Sequence, residues 1–230
     1  MPAGVFAGRT GPLLASSDKL RIKVIGAGGH ASMPQDARDP IPVLCEIVTA
    51  LQTMVTRTIA VSDPAVITIA RIEAGTTDNV IPEHGRAWGT LRTLSERTRA
   101  HAQAGIRRVA EHVAAAHGLT AEVEIDQGFP VTVCDGRVTD LAARTARALY
   151  GDDGWVTMTH PMMGAEDFSY VLQKTPGAMA FLGAAPEGGD YRTCCALHSN
   201  RMVLSEDAMA RGIAMHCAMA QAMLGEDLEL

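Results

Sequence analysis

The chain has 230 residues, of which 47% are hydrophobic, 20% charged and only 4% aromatic, with a formal net charge of −6. This is the balance of a globular chain long enough to bury a sizeable core and to form more than one small domain. It argues against nucleic-acid partners, because no Lys/Arg block occurs and few rings are available for base stacking. No uninterrupted apolar run reaches the roughly 18 residues that a membrane span needs, and no signal-peptide pattern opens the chain, so no membrane partner is expected. The five cysteines are an odd number with no CxxC pair and read as reduced thiols. A cytoplasmic protein is the expectation.

Residues 1–17 are rich in Gly, Pro, Ala and Ser and predict no complete element of their own. Leu20, Ile22 and Val24 then alternate with Lys19, Arg21 and Lys23, which predicts a half-buried strand over 19–27. Gly26, Gly28 and Gly29 end it, and a loop over 30–38 carries His30 and Pro34. Asp39-Pro40 supplies a cap and a first-position proline for a helix to about residue 57. Val43, Ile47, Leu51, Met54 and Val55 form its apolar face. A turn at Ser62-Asp63-Pro64 precedes a β-branched strand over 65–72, a loop over 75–83 and a strand over 87–93. Ser95-Glu96-Arg97-Thr98 opens a second helix, Gly118 stops it, and residues 121–125 alternate again as a last strand.

The order over 19–127 is therefore β-α-β-β-α-β, a ferredoxin-like split unit: a four-stranded antiparallel sheet with two helices on one face. Proteins cover or pair the edges of such a sheet, so a dimer through this domain is expected. Residues 128–135 link it to a second region. That region predicts a helix over 137–150, a short strand over 155–159 and a turn at 162–164 leading into a helix over 166–173. A break at Pro176-Gly177, a buried strand over 178–182, a loop over 183–193 and a Met-rich helix over 205–223 follow. So few strands for so many helices read as half of an α/β domain. The expected divisions are 1–18, 19–127 and 128–230.

His30 follows two glycines, which let the backbone approach another surface. It reads either as a catalytic or substrate-contacting imidazole or as an ordinary loop histidine. Asn79 is either a common turn residue or an amide contact to a carboxylate. His198 lies near Cys194-Cys195, but this spacing is not that of a closed zinc site. Glu166-Asp167 suits a helix start for reasons of charge alone, or else lines the wall of a site. His160 is a ligand or simply exposed, and the other histidines read as structural. Gly26-x-Gly28 fails as a dinucleotide turn, because a proline-containing loop follows it instead of a helix.

Five stretches occur in one order along essentially the whole chain: GPLLASSDKLRIKVIGAGGHASMP, DPIPVLCEIVTALQTMV, AGTTDNVIPEHGRAWGTLRTL, MGAEDFSYVLQKTPGAMAFLG and LHSNRMVLSED. Together they resemble the hippurate hydrolase / N-acyl-amino-acid amidohydrolase family of metallopeptidases, which includes plant auxin-conjugate hydrolases. The resemblance implies a catalytic α/β domain holding two divalent metal ions (zinc, manganese, nickel or cobalt) with a ferredoxin-like dimerisation or lid domain inserted into it. It assigns 19–127 to that insert and the rest, from 131, to the C-terminal part of the catalytic domain. It implies that His198 is a metal ligand and that His30 polarises the scissile carbonyl in the partner subunit's site. Asn79 corresponds to a substrate-binding position that acts across the dimer, and Glu166 falls in a motif lining the cleft, where it would contact substrate.

The family's other ligands and its general-base glutamate stand in an HGCGHD-like segment, a Glu-Glu pair and a histidine just ahead of MPAGVF. None of these occurs in this chain. Asn200 stands where family members often have Pro. A metal-activated water needs about three protein ligands and a nearby base, and one matched histidine does not supply them. The expectation is a metal-dependent amidohydrolase acting on N-acyl amino acids, present here as an incomplete chain. The alternatives are a non-catalytic dimerisation module, a truncated gene product, or half of a split enzyme completed by a separate N-terminal polypeptide.

Overall fold

A computed structural model describes residues 1–186, 188 and 198–225. In chain order its elements are β1 (Phe6–Gly8), β2 (Gly11–Leu14), β3 (Asp18–Ile25), β4 (Gly29–His30), α1 (Pro40–Thr58), β5 (Ala65–Ala74), β6 (Val80–Ile81), β7 (His84–Thr93), α2 (Glu96–Ala116), β8 (Thr120–Gln127), β9 (Thr132–Cys134), α3 (Gly136–Tyr150), β10 (Trp155–Thr157), α4 (Phe168–Leu172), β11 (Phe181–Leu182) and α5 (Asp207–Leu224). They fall into two compact units. One comprises Leu14–Thr132 and Met162–Ser169; the other comprises Met1–Leu13, Val133–Pro161 and the described part of Tyr170–Leu230.

The first unit holds the four-stranded sheet, in the order β5-β7-β3-β8. Every neighbouring pair is antiparallel, with Asp18 opposite both Leu91 and Gln127, and Ile25 opposite both His84 and Thr120. Alternation in β3 buries Leu20, Ile22 and Val24 against Leu44, Ile47 and Leu51 of α1 and Ile106 and Ala110 of α2. The split β-α-β-β-α-β fold expected from the sequence is thus present. Both helices start as their caps dictate: the Asp39 carboxylate accepts from the Ile41 N–H at 2.9 Å, and the Ser95 hydroxyl oxygen accepts from the Thr98 N–H at 3.1 Å.

In the second unit β1 lies between β10, parallel to it, and β11, antiparallel. Phe6 and Trp155 pack with Ala142, Ala143 and Ala146 of α3 and Met215 of α5. The Tyr150 ring stacks on Phe6 at 6.0 Å, and its hydroxyl donates to the Arg211 carbonyl at 2.9 Å. Among the described residues no helix is long and apolar enough to cross a membrane.

Several expected bounds are corrected. Residues 1–17 contain β1 and β2, whose three and four residues are too short for a readable period. The loop expected over 75–83 contains β6, which pairs with β4. The helix expected over 166–173 narrows to Phe168–Leu172, and the strand over 178–182 narrows to Phe181–Leu182. Most of the loop expected over 183–193 lies outside the described residues.

Candidate functional site

Beyond the end of β3 the backbone runs against residues 37–38. Ala27 and Arg38 exchange two hydrogen bonds of 2.9 Å. A Cβ at Gly26 would stand 2.0 Å from the Arg38 carbonyl oxygen, and one at Gly29 would stand 2.8 Å from the Ala37 Cβ. Close approach explains these glycines. The same approach delivers His30 into β4, opposite Val80 of β6. The Ala31 N–H donates to the Asn79 carbonyl at 3.1 Å, so His30 and Asn79 sit on one short ribbon.

Both side chains are exposed and locally tethered. His30 Nδ1 accepts from the Ser32 N–H at 3.1 Å and lies 2.8 Å from Ser32 Oγ. The Thr77 hydroxyl donates to Asn79 Oδ1 at 3.2 Å, and among the described residues the Asn79 amide nitrogen has no acceptor. Sequence reasoning did not single out Ser32 or Thr77. The available signal was a hydroxyl residue two positions from each polar side chain, the spacing at which such side chains bond locally.

Glu166 belongs to the same unit but to its other end. The Ala15 N–H, three residues before β3, bonds to the Met162 and Gly164 carbonyls at 3.1 and 2.9 Å. The Glu166 carbonyl accepts from the Ser169 hydroxyl at 2.5 Å, and its side chain is exposed. The eight residues of β3 separate this segment from His30, a span of about 26 Å at a strand's rise per residue.

A buried charged network, also not singled out from the sequence, lies at the end of β3 that Glu166 shares. Arg99 of α2 bonds Asp18 with Nε and Nη2, Glu96 with Nη1, and the Gly128 carbonyl at 3.1 Å. Gln103 donates to Asp18 Oδ2 at 2.8 Å, and Glu96 Oε1 accepts from the Val131 N–H at 3.1 Å. Burial works against the Arg99 charge, yet the hydrogen bonds and charges of Asp18 and Glu96 raise its pKa above the usual value. The network ties the strand that enters the sheet and the segment that leaves it to one turn of α2.

His198 lies in the second unit. It is the single non-glycine residue with positive φ among the described residues, at 68°. That conformation is uncommon for a residue with a Cβ, and such residues cluster at functional sites. Cys194 and Cys195 lie outside the described residues, and His160 is exposed. Among the described residues no three His, Cys, Asp or Glu side chains are grouped to hold a metal ion. His198 alone does not fit a two-metal centre, whose ions each need several protein ligands.

Residues 15–118 match the family model described as the peptidase dimerisation domain. Over 222 residues, 95% of this chain and 54% of the relative, the chain is 37% identical to thermostable carboxypeptidase 2 of Saccharolobus solfataricus. Over 184 residues, 80% of this chain and 47% of the relative, it is 36% identical to N-acetylcysteine deacetylase of Bacillus subtilis. Its fold matches the YXEP protein of Bacillus subtilis, described as a dinuclear metal binding peptidase from the M20 family. The TM-score is 0.78 and the identity 28%, over 99% of this chain and 55% of that one. Residues 15–118 thus carry a peptidase dimerisation domain of the M20 type, and the relatives that the chain matches are M20-family hydrolases, both peptidases and amidohydrolases. It spans about half the length of the curated relatives it matches.

Proposed function

We propose that the protein carrying this chain hydrolyses the amide bond of N-acyl amino acids as a homodimer joined through the lid. His30 donates its N–H to the scissile carbonyl oxygen in the partner's site, and Asn79 and Glu166 contact substrate. His198 is one ligand of a divalent metal ion whose other ligands come from outside the described residues. The observation that carries this reading is the separation of the His30–Asn79 ribbon from the Glu166 segment by the length of β3. Such a separation is too long for one N-acyl amino acid to bridge within a subunit, which favours a site shared by two. A preorganised donor at a developing oxyanion is worth about 2.7–4 kcal/mol, which is the loss expected for His30.

The similarity to a deacetylase of an N-acyl amino acid supports the substrate class. The similarity to a carboxypeptidase favours a second reading, a peptide substrate. The full-length protein, assayed for metal content and for turnover of N-acetyl amino acids beside dipeptides, separates them. Faster release of acetate with bound divalent metal is expected. Preference for dipeptides would replace the first reading by the second, and no turnover of either would leave a dimerisation module.

A further inference from the structure

We infer that Ser32 is a positioning residue that locks His30 as the Nε2–H tautomer, so that the neutral ring meets its substrate as a hydrogen-bond donor. A backbone N–H can only donate, and that of Ser32 points at His30 Nδ1 from 3.1 Å. Nδ1 must therefore carry the lone pair, because a proton there would set two N–H groups against each other. The Ser32 hydroxyl, 2.8 Å from the same atom, turns its proton towards Nδ1 as a second donor. A neutral imidazole has one N–H, and it is left to Nε2. Among the described residues Nε2 has no partner, so it is free for an incoming oxygen. The turn that holds Ser32 over the ring is closed by the Met33 N–H to the His30 carbonyl at 2.9 Å. Since the ring is exposed, these local bonds, and not burial, fix its orientation. The face so presented is donor-only and selects an oxygen acceptor such as an amide carbonyl or the oxyanion formed from it.

The consequence for catalysis rests on the proposed role of His30; the tautomer does not. The test is long-range 1H–15N correlation spectroscopy of the chain labelled with 15N-histidine. The His30 signals are identified by their loss in His30→Gln and followed at a pH where the ring is neutral. Nδ1 is expected unprotonated. Ser32→Ala should lower the ratio of Nε2–H to Nδ1–H tautomer about 3- to 10-fold, the worth of one hydrogen bond, and Ser32→Thr should restore it. A protonated Nδ1 overturns the tautomer assignment whatever the activity, and a ratio unmoved by Ser32→Ala overturns the part given to the Ser32 hydroxyl. In the full-length protein Ser32→Ala should lower kcat with little change in KM, again with rescue by threonine. A shifted ratio with unchanged kcat would instead remove His30 from the chemistry, and Ser32's positioning role with it.

Discussion

Arg99 has 6% of its surface exposed and faces Asp18, which has none. Replacing it with alanine leaves a buried carboxylate without its counter-charge, which costs about 3–5 kcal/mol in comparable buried pairs. Arg99→Ala should therefore unfold at clearly lower urea concentration than the parent, and Asp18→Leu combined with Arg99→Met should recover much of the difference. Asp63 makes a prediction about pH. Burial would raise its pKa, but hydrogen bonds from Ser95, Thr98 and Arg97 more than offset this and hold it below the usual carboxylate value. A pKa lowered on folding contributes stability that is complete above the ordinary carboxylate range and is lost as pH falls through the folded value. The stability gap between the parent and Asp63→Asn, measured by denaturant titration at a series of pH values, should be widest near neutrality and shrink with acidification. A gap that stays constant into acid would rule out a contribution from the charge.

At the scale of elements, Asp39 caps α1 through a single hydrogen bond of 2.9 Å. Losing such a cap costs about 1 kcal/mol, so Asp39→Ala should lower the melting temperature by a few degrees, while Asp39→Ser should stay near the parent. This helix was legible because its cap, its proline and its 3.6-residue period agree. The alternation of β3 was legible for the same kind of reason. Two-residue strands such as β4 and β6 carry no period, and their pairing depends on a partner about 50 positions away, so the ribbon that joins His30 to Asn79 could not be read from either stretch alone. Motif resemblance singled out both residues but not their adjacency. The bond between Asp18 and Arg99 spans 81 positions, and nothing local marks either residue as the other's partner. His198 was singled out by its motif, while its backbone conformation was beyond any spacing argument.

At the scale of the whole molecule, the proposed sharing of a site between subunits has an arithmetic signature. Full-length His30→Ala and full-length His198→Ala should each be inactive as homodimers. Mixed and allowed to exchange, half of the dimers become heterodimers, each with one site that has both its own His198 and a partner's His30. Activity should return to about a quarter of the parent value, by the symmetry of a two-fold dimer. Mixtures that stay inactive despite demonstrated exchange would place His30 and His198 in the same subunit's site. The lid itself has another property. Its first and last strands are neighbours, with Asp18 directly opposite Gln127, so its two ends lie about 5 Å apart. A segment whose ends meet can be spliced into a surface loop of a host domain, or lifted out of it, without prising the host's own strands apart. The stretch from Asp18 to Gln127 has the adjacent ends of a cassette, and a single insertion or deletion event between them suffices to gain or lose the four-stranded sheet with its two helices.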